Sequence, residues 1–402
     1  MTPNAAPQMS LTQQNALATN AILANAIERR QLATSQTVYP AANPQLIIQP
    51  INVGLLKRYI IEVNGTIANT GAVPINLTDF GLSNIFGSGG VQYLDLNNYL
   101  RVNTSGQHLT LVANAKRRRP YGSTFEVNNV GSVNAAFQSQ MLNVPPASWG
   151  VFEASETIAA GASAPFRCVF ELPLAYSDDD LRGAIYANVL NAVQQIQLTF
   201  NTAVVTANPN DSTFAVYSGA AGAAGNISSA TVTIYQEYLD NLPMSQSGVV
   251  LPQVSLSTVY ELKSILYQGT ISENQEFYIS YANQRRFIST FAVFNNNGQY
   301  NGRQYGSDVN YWALFSANSS YIWKNDPLYQ AQMSRDHNMV DLPAGCYYFP
   351  TRRRNLETIQ YGNLQLTLNA NTANASAYCN VMLEDFANLN TLQTGPSLSN
   401  GN

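Results

Sequence analysis

The most constraining feature of this 402-residue chain is an ordered set of landmarks that occurs twice. The first set opens on a basic pair and an aromatic ahead of an apolar run, Lys57-Arg58-Tyr59-Ile60-Ile61, and the second reads Arg285-Arg286-Phe287-Ile288. An acidic-Leu-Pro step follows, Glu171-Leu172-Pro173 and later Asp341-Leu342-Pro343. Next comes Ile196-Gln197-Leu198-Thr199-Phe200-Asn201, matched by Leu364-Gln365-Leu366-Thr367-Leu368-Asn369. The sets close on Ile234 to Glu237 with Asn241-Leu242, and on Val381 to Glu384 with Asn388-Leu389. Four matches in one order point to a tandem duplication whose loops have diverged. A repeated block is expected of a structural tile more than of an enzyme.

Both copies have the texture of strands. Arg58 to Asn69, Leu109 to Val112, Phe166 to Leu172, Gln194 to Val205 and Thr231 to Tyr238 read as strands of the first copy. Phe277 to Tyr281, Phe287 to Phe294, Tyr311 to Phe315 and Tyr347 to Phe349 read as strands of the second, with its two repeated strands after them. Asn241 to Pro252 is the expected linker. Two β units of this size predict sandwiches or jelly rolls. Ser177-Asp178-Asp179-Asp180 before Leu181, Ile185, Val189 and Leu190 predicts a short helix inside the first unit. Ser218 to Gly225, almost all Gly and Ala, predicts a long flexible loop.

Residues ahead of the first strand predict a helix from Ser10, capped with Gln13, to about Ala33. Ala16, Leu23 and Ile27 share a stripe, and Leu17 and Ile22 add apolar surface. Arg29 and Arg30 suit its C-terminal end. Leu17, Ile22, Leu23, Ile27, Arg29 and Arg30 are the candidate contacts of this helix with a membrane or a neighbouring subunit. Each copy would hold a membrane weakly, and an array of copies would multiply the effect. Removing residues 1 to 35 is then expected to leave the oligomer intact but to weaken its binding to vesicles or its assembly into particles.

Charged residues make up 11% of the chain, well below the usual quarter, which predicts a surface largely covered by neighbours. A net charge of −4 excludes wholesale nucleic-acid binding through a basic surface. Residues 2 to 27 carry no charge, so the basic segment of a secretory signal is missing, and no run of about 18 apolar residues would span a bilayer. Three dispersed cysteines, Cys168, Cys346 and Cys379, give neither a disulfide framework nor zinc spacing. His108 and His337 lie in different copies without metal-like neighbours. Asp178 to Asp180 suit a helix start better than a calcium site. No phosphate loop, nucleophile elbow or paired-carboxylate motif appears, and no cofactor is implied. Lys116-Arg117-Arg118-Arg119 and Arg352-Arg353-Arg354 are candidate contacts to carboxylates of an adjacent subunit, to phosphate or lipid headgroups, or to solvent. The aromatic stretch around Tyr300, Tyr305, Tyr311 and Trp312 supports a second reading, a receptor- or glycan-binding β-sandwich such as a spike. A carbohydrate-active enzyme is a third.

From about Asn52 to Asn363 the chain resembles the tectivirus major capsid proteins of the double jelly-roll lineage. The resemblance rests on Asn52-Val53-Gly54, Leu77-Thr78-Asp79-Phe80-Gly81, Ile158-Ala159-Ala160-Gly161-Ala162, Pro173-Leu174-Ala175-Tyr176-Ser177 and Tyr238-Leu239-Asp240. In the second copy it rests on Leu256-Ser257-Thr258, Tyr281-Ala282-Asn283, Ala292-Val293-Phe294 and Gln360-Tyr361-Gly362-Asn363. It implies an all-β fold of two tandem eight-stranded jelly rolls, at 46–243 and 244–390, after an N-terminal helix and arm (1–45) and before a C-terminal tail (391–402). It further implies a homotrimer with a six-cornered outline that tiles an icosahedral shell around a membrane and double-stranded DNA. The N-terminal helix would face the viral inner membrane, penton and minor capsid proteins would be further partners, and no sequence-specific nucleic-acid contact is expected. Ser218 to Gly225 becomes a candidate for an outer tower. The run Lys116 to Arg119 is more basic than the family pattern.

Overall fold

The computed structural model describes residues 11–78, 80–117, 151–188, 192–208, 214–242, 258–268, 271–281, 286–296, 309–316, 320–327, 329–330, 333, 345–350, 356–357, 364–371, 373 and 377–388. Among the described residues twenty-three strands form the sheets, and sixteen of them make up the order that repeats between the halves. In the first half they are β1 (Ile27–Val38), β2 (Gln45–Ile48), β3 (Leu55–Asn69), β4 (Val91–Leu94), β5 (Leu100–Thr104), β6 (Ser163–Pro173), β7 (Gln195–Thr199) and β8 (Gly225–Asp240). In the second half they are β9 (Thr258–Gln268), β10 (Glu276–Ser280), β11 (Arg286–Asn295), β12 (Val309–Ser316), β13 (Ser320–Asn325), β14 (Cys346–Pro350), β15 (Leu364–Ala370) and β16 (Tyr378–Asn388). The remaining strands line their margins, Val151–Ala154 beyond β6 among them.

The two halves have the same topology. In the first, the sheets run β1-β8-β3-β6 and β2-β7-β4-β5; in the second, β9-β16-β11-β14 and β10-β15-β12-β13. Each order pairs the first strand of a half with its last, which is the wrapped antiparallel arrangement of a jelly roll. Alternation drives it. Along β3, Tyr59, Ile61, Val63 and Ile67 are fully buried while Arg58, Ile60, Glu62 and Asn64 are partly wet. Each such buried side chain contributes about 1.5–3 kcal/mol. Within the first roll, Tyr59 on one sheet and Tyr93 on the other donate to the same Gln194 Oε1, at 2.7 and 2.9 Å.

The rolls meet edge to edge. β5 pairs parallel with β9, Val102 opposite Leu262 and Asn103 opposite Lys263, so one sheet runs through both rolls. The larger core extends across this seam and takes in Tyr260, Leu262, Phe291, Tyr348 and Phe386. A second cluster around Trp312 and Leu366 fills the second roll. Polar bonds tie the seam as well: Thr104 to Ser264 at 2.6 Å, Asn380 to Gln107 at 3.0 Å, and Tyr99 to Glu261.

Four local expectations are overturned. The N-terminal helix, α1 (Leu11–Asn25), stops well short of Ala33, and β1 takes up residues expected to be helix and arm. Its Ile27 to Val38 pair with β8 from Asp240 to Ala230, and backbone bonding to a sheet outweighs the weak amphipathic stripe. Ser177 to Asp180 cap no helix, because Asp178 is drawn to Lys57 and Arg58, and Ile185–Tyr186 form a short strand on β3. Leu109 to Val112, read as strand, belong to α2 (Gly106–Arg117). Ser105 starts that helix, its Oγ accepting from the His108 amide at 3.3 Å. Ser218 to Gly225 are not a long loop. Tyr217–Gly219 form a strand on Ile75–Leu77, and the turn after it bonds to residues 70–72. A Cβ at Gly71 would lie 2.4 Å from the Gly222 carbonyl oxygen, so small residues here serve close backbone approach.

Gly183 stands where the rolls touch. Its φ is +89°, and an added Cβ would meet Tyr260 Cβ at 2.4 Å and the Leu174 carbonyl oxygen at 2.6 Å. Gly183→Ala is therefore expected to cost about 1–3 kcal/mol through backbone strain, with further loss from the clash. Thermal unfolding followed by intrinsic fluorescence measures it; an unchanged Tm would mean the seam yields without cost.

Candidate interaction surfaces

A charge cluster joins the N-terminal strand to the first roll. Lys57, only 4% exposed, donates to Glu28 Oε1 at 2.8 Å and reaches Asp178 Oδ1 at 2.9 Å. Arg58 reaches the same Asp178 oxygen at 3.0 Å, Glu171 at 3.0 Å, and Glu237. Arg30 on β1 is the second partner of Glu237, and Arg29 pairs with Asp240 at 2.8 Å. Four strands (β1, β3, β6 and β8) and a loop are thus held by one alternating set of charges. Burial disfavours the Lys57 ammonium, yet its bonds to Glu28 and Asp178 outweigh that and raise its pKa. Burial likewise opposes ionisation of Asp178 and Glu237, and the adjoining cations more than offset it, holding both carboxyls below their ordinary range.

The repeat exposes a divergence. Glu237 and Glu384 are equivalent in the duplicated closing strand, and both are buried. Glu237 is held by guanidinium groups, whereas Glu384 accepts from the hydroxyls of Tyr260 and Ser289, each at 2.5 Å. A carboxylate is retained in the sheet while its partner chemistry has changed.

A different cluster lies on the outer face of the second roll. Glu276 on β10 accepts from Tyr311 at 2.6 Å, Tyr321 at 2.7 Å and Tyr278. These three hydroxyls hold its carboxyl below the ordinary range. Lys324 Nζ stands 3.6 Å from the centre of the Tyr311 ring. Tyr278 and Tyr321 are about half exposed, so this face carries apolar ring area beside hydroxyls.

The candidate contacts named from sequence are dispersed by the fold. Ile22 is fully buried against Leu55, Leu181 and Leu239; Leu23 is half-buried beside it; Leu17 and Ile27 are exposed. Arg29 and Arg30 leave α1 for β1, where carboxylates take them. Lys116 and Arg117 end α2. Arg118, Arg119, Arg352, Arg353, Arg354, His337, Tyr300 and Tyr305 lie outside the described residues. Trp312 is fully buried among Tyr347 and Phe349, so it cannot form an outer aromatic platform. His108 is a core residue bonded to Thr104 at 2.6 Å. Among the described residues no helix is long and apolar enough to cross a membrane. The charge cluster and the tyrosine cluster went unread from sequence because each gathers residues far apart in the chain.

This double arrangement of strands occurs in solved viral capsid structures. The STIV major capsid protein matches with a TM-score of 0.57 and 11% identity, covering 92% of this chain and all of that one. VP54 of PBCV-1, fitted into a reconstruction of the virophage Sputnik, matches with a TM-score of 0.55 and 13% identity, covering 90% of this chain and 94% of that one. The fold is therefore that of a double jelly-roll capsid protein. In sequence, models described as the N-terminal and C-terminal parts of the P3 major capsid protein match residues 2–242 and 257–399. Major capsid protein P3 of Enterobacteria phage PRD1 is 35% identical over 409 residues, covering 98% of this chain and 97% of that protein. The chain belongs to the P3 major capsid protein family: it is a structural component of a virion and not an enzyme.

The cluster around Arg58 makes a pH prediction. Because the folded pKa values of Asp178 and Glu237 are lowered, their stabilisation is complete above the ordinary carboxylate pKa of about 4 and is lost as pH falls through the lowered values. Acid should lower Tm steeply below about pH 4. Arg58→Ala should cost about 3–5 kcal/mol at pH 7, since Glu237 is left buried with one partner fewer, and should flatten the acid dependence. Tm measured from pH 7 to pH 3 in both proteins tests this; parallel curves would mean other groups control acid stability.

Proposed function

We propose that this major capsid protein acts as a homotrimer whose six rolls form a six-cornered block, three copies contributing two rolls each. Blocks of this shape fill sixfold lattice positions of an icosahedral shell with threefold-symmetric units. The observation that carries the reading is the duplicated topology itself, with strand order repeated over β1–β8 and β9–β16. The rolls are divided in sequence at the segment after Asn241-Leu242. In this reading the shell encloses a membrane around double-stranded DNA. The first half of α1, with Leu17 outward, faces that membrane, while Ile22 anchors the helix to the first roll. The basic runs Lys116 to Arg119 and Arg352 to Arg354 meet carboxylates of neighbouring subunits. Penton and minor capsid proteins complete the shell at its vertices and seams.

The purified chain is expected to run at three times its monomer mass in light scattering at micromolar concentration; a monomer would refute the trimer. Because β1 belongs to the sheet, a deletion that probes the helix should stop at Asn25 rather than at residue 35. Removing residues 1–25 should leave the trimer mass unchanged and reduce its co-sedimentation with anionic phospholipid vesicles several-fold. Equal vesicle binding by the truncated and full-length proteins would mean that the helix is not the lipid contact.

A further inference from the structure

One strand position is buried in the second roll and bare in the first. β9 opens the second roll, and its Val259 and Leu262 are 0% exposed, while Ile265, past the residues paired with β5, is 38% exposed. β1 opens the first roll, and its Ile27 and Leu32 are 49% and 50% exposed. The difference has a visible cause. The outer edge of β9 is occupied by β5, whereas β1 ends its sheet among the described residues. The fifth strand shows the converse. β5 is covered by β9, while its counterpart β13 ends its own sheet, with Tyr321 47% and Ile322 38% exposed.

The repeat fixes which residues correspond. Glu237 and Glu384 are equivalent; Glu237 lies opposite Arg30 and Glu384 opposite Leu262, so Arg30 matches Leu262 and Gln31 matches Lys263. Ile196 and Leu364 are equivalent. Through Tyr93 and Ser316 beside them, Val102 matches Ser320 and Asn103 matches Tyr321.

We propose that in the assembly β13 of one copy runs parallel to β1 of the next, with Ser320 opposite Arg30 and Tyr321 opposite Gln31. This repeats between chains the junction that β5 and β9 make within one, and it rests on the trimer reading above. The contact is head-to-tail: the fifth strand of each roll meets the first strand of the following roll. Three internal junctions and three between chains then alternate around a closed ring, which consumes every bare edge of this kind. Four of the exposed large apolar side chains, Ile27, Leu32, Tyr321 and Ile322, fall on the two edges that meet. Arg29 and Arg30 bring no unpaired charge into the contact, because Asp240 and Glu237 already hold them.

Cysteine pairing in the full-length trimer tests the register. Adjacent strands lie about 4.8 Å apart, inside the Cα range a disulfide spans. The native Cys168, Cys346 and Cys379 are all buried and do not compete. Gln31→Cys combined with Tyr321→Cys should yield covalent dimers and trimers on a non-reducing gel after mild oxidation, and neither single variant should. A trimeric double variant without cross-links would overturn the junction and leave the trimer standing; a monomeric wild-type chain would overturn both. Hydrogen exchange on the unmodified trimer gives a second readout independent of the substitutions. Residues 27–38 and 320–325 should exchange as slowly as 258–268, and fast exchange on either edge of an intact trimer would sink the proposal.

Discussion

The parallel contact between β5 and β9 is the constraint on which the molecule's architecture depends. It welds a back sheet of one roll to a front sheet of the other, so the two units share a continuous hydrogen-bonded layer and not only a set of side-chain contacts. A shared layer fixes relative orientation far more tightly than an ordinary interface between domains, whose default is motion. The apolar core that crosses the seam, and the bonds of Thr104, Gln107 and Tyr99, make the join stiff in the remaining directions. A shell tile needs this stiffness, because an angular error inside each block would accumulate around a closed lattice.

The duplication was legible because it is written in the innermost strands. Tyr59 to Ile61, Ile196 to Phe200 and Ile234 to Glu237 face the core or its charged rim, and burial limits what can replace them. Alternation along β3 and β6 made those strands readable for the same reason. What failed lies where tertiary context overrides local pattern. β1 carries no alternation because it is wet along most of its length, so its residues offered only a faint helical stripe. The described side chains of α2 from Gly106 to Val112 are all buried, and turns buried on every side do not show a helical period. The acidic run at Asp178 looked like a cap because its real partners, Lys57 and Arg58, lie more than a hundred residues away.

The interaction surfaces were less legible than the fold. Glu276 gathers tyrosines from three strands, and Glu237 gathers arginines from two; neither set has a spacing that sequence could display. Arg29 and Arg30, which resembled the basic end of a membrane-seeking helix, spend their charge within the sheet. Much of what charge there is near the first roll is paired internally, as Lys57, Arg58 and Glu237 show.

The unlike environments of Glu237 and Glu384 have a consequence for heredity. Descendants of one ancestral segment, these halves have stopped being spare parts for each other. A crossover inside the repeat, joining the opening strands of the second half to the closing strand of the first, would leave Glu237 without Arg30 and Arg58. Recombination between the two segments of the gene should therefore be purged, and the tandem copies should keep drifting apart in sequence while their topology stays the same.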